Sequence, residues 1–251
     1  MITPERTAFI IIDMQRGFID EDSPLCIAGA AATVPACARA LDAARSAGMH
    51  IFHAQRRYRS DGSDVEPCRF QGWLDGERPL SDAWPESLEP PEELKPQPGD
   101  HLITKPRFSA FFDTGLDALL RTLGVDTVVL TGTTTPNCVR STCYDALSLN
   151  YNVAIVEDCT SSRSPEVQAA NIADMEYIGA FVLTCDEFCE DGLEDMPDTL
   201  GEMREELREI DRVTTEMAQS ALKAAKERSA ADDGKTAEPA AKSAHEAGDQ
   251  A

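Results

Sequence analysis

Three short stretches of this chain put reactive side chains where an apolar run stops. Ile10-Ile11-Ile12 ends in Asp13, a carboxylate that could act as a general base or simply cap a turn. Lys105 follows the short run His101–Thr104 and opens Lys105-Pro106-Arg107-Phe108; an isolated lysine there could equally be a solvated surface group. Asp126–Thr131 leads into Gly132-Thr133-Thr134-Thr135-Pro136-Asn137-Cys138, a turn of small residues that closes on a thiol. A cysteine so placed lies in the crevice beyond the carboxyl end of a strand, where open α/β sheets bind ligands. It also stands at a helix start, which lowers a thiol's pKa and presents free backbone N–H groups.

These groups need rigid elements to hold them. Thr7–Ile12, Met49–Ala54, Asp126–Thr131, Asn152–Glu157 and Ala180–Thr184 read as buried strands, with His101–Thr104 a shorter one. Helical patterns lie between them at Ala30–Ala47, Thr114–Leu123, Val139–Asn150 and Pro165–Ile178. Ser164-Pro165 is a helix start, Ser as cap and Pro in the first turn, and Gly48 and Gly124 stand at helix ends. Apolar strands alternating with helices predict an α/β fold, three layers (α/β/α) around a parallel sheet. Arg56 to Gly99 carries seven prolines and reads as a long loop. After Cys189, Leu200, Met203, Leu207, Ile210 and Met217 follow a three-four spacing on a charged background. The expected organisation is one α/β domain over 1–189, an amphipathic helical extension over 190–228 and a disordered acidic tail over 229–251.

Taken together, IIIDMQRGF, TKPRFSAFF, VLTGTTTPNCVRSTCYDAL and VAIVEDCTSS, in that order, resemble the isochorismatase-like cysteine hydrolases. That group includes nicotinamidases, N-carbamoylsarcosine amidohydrolases and ureido-amide hydrolases, and the resemblance covers roughly Arg6 to Glu187. It implies a sheet of about six strands and an Asp–Lys–Cys triad, here Asp13, Lys105 and Cys138. It implies a cis peptide before the nucleophile, by position Thr133–Thr134, and an oxyanion hole from the N–H groups of Thr134 and Cys138. Gln15, Phe18, Arg56 and Phe111 are the positions expected to meet substrate. The implied activity is hydrolysis of a C–N bond in a small amide, ureido or carbamoyl compound through a thioester. The implied assembly is a homo-oligomer.

Nicotinamidases carry an Asp-x-His-x-His metal cluster after the second strand. Here that stretch is His50-Ile51-Phe52-His53-Ala54-Gln55-Arg56, without the Asp or the His spacing, so neither metal nor other cofactor is expected. Arg56 and Arg59 could recognise a substrate carboxylate bidentately or pair with the acids of the loop. The chain has 45 acidic and 23 basic residues, a net charge of −22, which argues against a nucleic-acid partner. No run of about 18 apolar residues and no basic-then-apolar leader is present, so the expected address is the cytoplasm, with no membrane partner. The eight cysteines then read as free thiols. Two other readings remain. Isochorismate-type vinyl-ether hydrolysis belongs to relatives that lack the cysteine, and a non-catalytic binding protein on the same fold would not need the triad.

Overall fold

Strand β1, Thr7–Ile12, is buried at all six positions and is the hub of the molecule. In the computed structural model, which describes residues 1–235 with side chains through 228, β1 pairs in parallel with two neighbours. On one side lie β2 (His50–Arg56) and β3 (His101–Lys105), and on the other β4 (Thr127–Thr133), β5 (Asn152–Ser161) and β6 (Phe181–Leu183). The sheet has six strands, all parallel, in the order β3-β2-β1-β4-β5-β6. The order reverses between β1 and β4, so a crevice must open beyond their carboxyl ends.

Successive side chains on a strand point to opposite faces, and here both faces are apolar. Ala8, Ile10 and Ile12 join Val128, Leu130, Val153 and Ile155 in one core, while Phe9, Ile11, Val129, Ala154 and Val156 join the other. Helices α1 (Arg16–Ile19) and α2 (Ala30–Ala47) follow β1. Ala40, Leu41 and Ala44 of α2 cover the second face, which α7 (Cys185–Asp191) completes with Phe188. The first face is covered by α4 (Leu116–Thr122), α5 (Arg140–Ser148) and α6 (Pro165–Tyr177) through Leu120, Ala146 and Met175. The label α3 belongs to Pro67–Asp75. Each large aliphatic side chain so buried stabilises the fold by about 1.5–3 kcal/mol. Helix α2 ends where Gly48 turns left-handed at φ 84°, and α6 begins where Ser164 accepts the N–H of Val167.

Three features depart from the sequence reading. Strands β2, β4 and β5 run past their apolar stretches, because Gln55-Arg56, Gly132-Thr133 and Thr160-Ser161 still pair through the backbone, which side-chain patterning does not reveal. The expected long loop from Arg56 to Gly99 contains α3 and two 3-10 turns, Pro85–Leu88 and Glu92–Leu94. Here Pro67 occupies the first turn, and Trp73, 1% exposed, anchors the helix in a third small core with Phe18, Tyr58, Val65 and Leu80. Finally, the described residues divide into two units, Met1–Leu200 and a second that begins at Gly201. Helix α8, Thr199–Lys235, begins later than residue 190 and continues past residue 228. The remainder of the expected disordered tail lies outside the described residues. Along α8, Met203, Leu207, Ile210 and Met217 are between 46% and 68% exposed. No described helix is long and apolar enough to cross a membrane.

Candidate active site

Asp13 is the first residue beyond β1 and Lys105 the last of β3, with β2 between them. The peptide N–H of Asp13 donates to the carbonyl of Ala54 at 2.8 Å, and its backbone takes φ 52°, turning the carboxylate over the end of β2. Lys105 reaches the same place from the far side. Its Nζ lies 2.7 Å from Asp13 Oδ2, and both side chains are wholly buried. The ammonium also donates to the carbonyl of Arg107 at 3.1 Å.

Cys138 arrives from β4. Gly132 sits at φ 103° against β1, and a Cβ there would lie 2.1 Å from the carbonyl oxygen of Ile12. Only glycine lets the chain pass that close, and the passage carries the following turn beside Asp13. The Thr133–Thr134 peptide is cis, and Thr135–Val139 forms one turn of π-helix leading into α5. Several hydroxyls moor this turn. Thr134 Oγ1 donates to the Ser161 carbonyl at 3.1 Å, and Ser161 Oγ donates to Thr133 Oγ1 at 2.9 Å. Thr135 Oγ1 shares its proton between the Ser161 carbonyl and Gln168 Oε1. Thr142 Oγ1 donates to the Cys138 carbonyl at 2.7 Å.

The electrostatics differ from the simple expectation of a depressed thiol. Burial pushes the Cys138 thiol up, the Asp13 carboxylate pushes the same way, and Lys105 and Arg56 pull it down without prevailing. Burial is the larger cause, and the Asp13 carboxylate adds to it because a fixed negative charge disfavours a second one beside it. Cys143, further along α5, is pushed up to about 12 by burial, which Arg140 offsets only in part.

The expected substrate contacts divide. Phe18 is buried in the third core, with the Arg69 guanidinium carbon 5.9 Å from its ring centre. Arg56 is wholly buried beside the triad; its Nη1 pairs with Glu66 and reaches the Pro106 carbonyl at 3.0 Å. Gln15 is committed to the main chain instead. Its Oε1 accepts from Arg56 N at 2.8 Å, and its Nε2 donates to the carbonyls of Arg56 and Leu88. Both amide donors are thereby spent on holding the end of β2. Phe111 stacks on Tyr151, the residue before β5, with ring centres 5.8 Å apart. Phe108 faces both arginines, 5.7 Å from Arg56 and 5.0 Å from Arg69, and Tyr58 lies 5.4 Å from Arg56. Arg59 is largely exposed and lies 3.4 Å from Asp61.

Glu66, Arg69 and Phe108 went unselected in the sequence. Pro67 in the first turn is the one start signal that α3 offers, and α3 carries Arg69. His53 lies on a face with Asp100 and Arg45, while His50 Nε2 meets the Glu5 carbonyl. Among the described residues no group of three or more His, Cys, Asp or Glu side chains is placed to hold a metal ion.

The chain as a whole is similar to known proteins. A family model described as Isochorismatase domain matches residues 7–187. A ureidoacrylate amidohydrolase of Pantoea ananatis is 35% identical over 208 residues, 75% of this chain and 82% of that protein. An Arabidopsis thaliana protein named "Probable inactive nicotinamidase" is 36% identical over 187 residues, 74% of this chain and 95% of that protein. The crystal structure of an isochorismatase family protein from Desulfovibrio vulgaris has a TM-score of 0.70 at 39% identity, over 73% of this chain and 96% of that one. With the match running from the first residue of β1 into α7, the chain belongs to the isochorismatase family.

Proposed function

We propose that the protein is a cysteine hydrolase that cleaves the C–N bond of a small amide, ureido or carbamoyl compound. The observation that carries this reading is the wholly buried Asp13–Lys105 pair, 2.7 Å apart, beside the Cys138 thiol at the switch point of the sheet. Asp13 takes the proton from Sγ, and the thiolate attacks the substrate carbonyl carbon. The oxyanion is held by the N–H groups of Thr134 and Cys138, each such donor being worth roughly 3–4 kcal/mol of transition-state stabilisation. Asp13 returns its proton to the leaving nitrogen, the C–N bond breaks, and a thioester on Sγ remains. Water then attacks the thioester as Asp13 accepts its proton, and the acid product leaves with the thiol restored. Lys105 keeps Asp13 oriented and balances its charge throughout.

The amidohydrolase named among the relatives supports the reaction class, and the relative named as inactive sets the competing case of a binding protein on the same fold. The homo-oligomer belongs to the same reading, and the exposed apolar positions of α8 are available to serve it. The test is ammonia release from small primary amides, ureides and N-carbamoyl compounds. Wild type is expected to turn over at least one class, Cys138→Ala to lose all activity and Cys143→Ala to keep most of it. Turnover retained in Cys138→Ala would overturn the assignment, and binding without turnover by wild type would favour the competing case.

A further inference from the structure

The triad leaves part of its surroundings unexplained. Arg56 is wholly buried, yet its Nε and Nη2 have no hydrogen-bond partner among the described residues, because Glu66 and the Pro106 carbonyl engage only Nη1. Arg69, on α3, has a buried Nη1 that is likewise unpartnered. It neighbours Tyr58 and Glu66 but forms no ion pair among the described residues, and Glu66 is already engaged by Arg56 and by the Tyr58 hydroxyl at 2.6 Å. The two guanidinium groups flank one ring, Phe108, and both lie within electrostatic range of the Cys138 sulfur.

A count of the buried charges shows what is missing. Asp13 and Glu66 supply two negative charges, and Lys105, Arg56 and Arg69 supply three positive ones. A surplus cation beside the nucleophile is unusual in a chain of net charge −22, and buried donors of a charged group are stable only when something completes them. Water could complete them at a cost in order. A planar anion does so better, since guanidinium forks match carboxylate oxygens and the aromatic walls keep competing water out.

Resting on the amide or ureide hydrolase reading, we propose that Arg56 and Arg69 form an anion subsite next to Cys138, and that the substrate carries a carboxylate close to its scissile carbonyl. Arg69 supplies the fork, and Arg56 directs its unpartnered Nε and Nη2 at the same anion while Glu66 holds it in place. The class is that of short ureido or amido acids, whose carboxylate fixes the carbonyl over the thiol. Neutral amides of the same size lack that handle.

Two alkylating agents of nearly the same shape test the subsite without any substrate being known. Iodoacetate carries a carboxylate and iodoacetamide does not, and both transfer a two-carbon group to sulfur with loss of iodide. Labelling is followed by mass at the peptide containing Cys138, since the exposed Cys68 will react independently. Iodoacetate is expected to label Cys138 at least tenfold faster than iodoacetamide, against the usual order for free thiols, and succinate is expected to slow it. In Arg69→Gln the rate ratio should fall at least tenfold, with Arg69→Lys in between. A preference for iodoacetamide in the wild type, or a ratio unchanged by Arg69→Gln in folded protein, would overturn the subsite. Should Arg69→Gln fail to fold, the wild-type preference and its sensitivity to succinate decide alone. If the ratios behave as expected and no amide is hydrolysed, the subsite stands and the hydrolase reading falls. If amides are hydrolysed without any anionic preference, the reverse holds.

Discussion

Asp13 and Lys105 are each tolerable in the interior only because of the other. Removing one partner of a buried pair leaves an uncompensated charge and costs about 3–5 kcal/mol, whereas removing both can be close to neutral. Lys105→Met is therefore expected to lose roughly that much stability in urea unfolding, and Asp13→Asn a comparable amount. The double variant should recover much of the loss while remaining inactive. A double variant whose loss equals the sum of the singles would show that the two groups do not interact as the 2.7 Å distance implies. At this scale much was legible in the sequence, because Asp13, Lys105 and Cys138 each follow an apolar run and strands of a parallel sheet end on one side. The thiol's electrostatics were not legible. A helix start argues for a lowered pKa, and only the folded site shows that Asp13 and burial push it up. The same holds for Gln15 and Phe111, whose side-chain types suit a pocket but whose partners are Arg56 backbone and Tyr151.

At the scale of elements, the site depends on how closely the end of β4 passes β1. The backbone atoms that a Cβ on Gly132 would strike belong to Ile12, in the middle of the sheet, and cannot move aside as a flexible side chain could. The left-handed φ adds a separate penalty. Gly132→Ala is expected to destabilise the protein by at least about 2–4 kcal/mol and to displace the turn bearing Cys138. Turnover should then fall by more than the unfolded fraction accounts for, checked by comparing activity with the folded fraction at each urea concentration. Near-wild-type activity and stability together would mean that the turn does not need this close passage. The strands and four of the helices were legible from periodicity, since β-branched runs and three-four spacing are local signals. Helix α3 was obscured by the prolines and glycines around it, and its stability comes from Trp73 packing on Tyr58, a contact between segments. Arg69 was hidden with it.

For the whole molecule, the question is how a strongly acidic protein responds to falling pH. Relief of repulsion among surface carboxylates would stabilise it, but few of them titrate above about pH 5. His53 acts earlier. Burial pushes the His53 ring below its ordinary value, the Asp100 contact raises it only in part, and Arg45 lowers it further. The native state thus resists the proton that the unfolded chain accepts near pH 6.5. The unfolded state binds more protons, so stability declines as pH falls through that value, by at most about 1.4 kcal/mol per pH unit. The carboxylates act later. Burial alone would raise Glu66 and Asp100, but Arg56 and the Tyr58 hydroxyl hold Glu66 low, and Arg45 holds Asp100 low. Their contribution is present above the unfolded carboxylate range and is lost only as pH falls through their lower folded values. Between pH 7 and 5.5, then, His53 sets the expected slope. The melting temperature is expected to decrease over that window in the wild type, and His53→Gln, which cannot take up a proton, should show a distinctly flatter profile. A flat wild-type profile, or an equal slope in the variant, would mean that the imidazole accepts its proton in place, with Asp100 compensating fully for its burial.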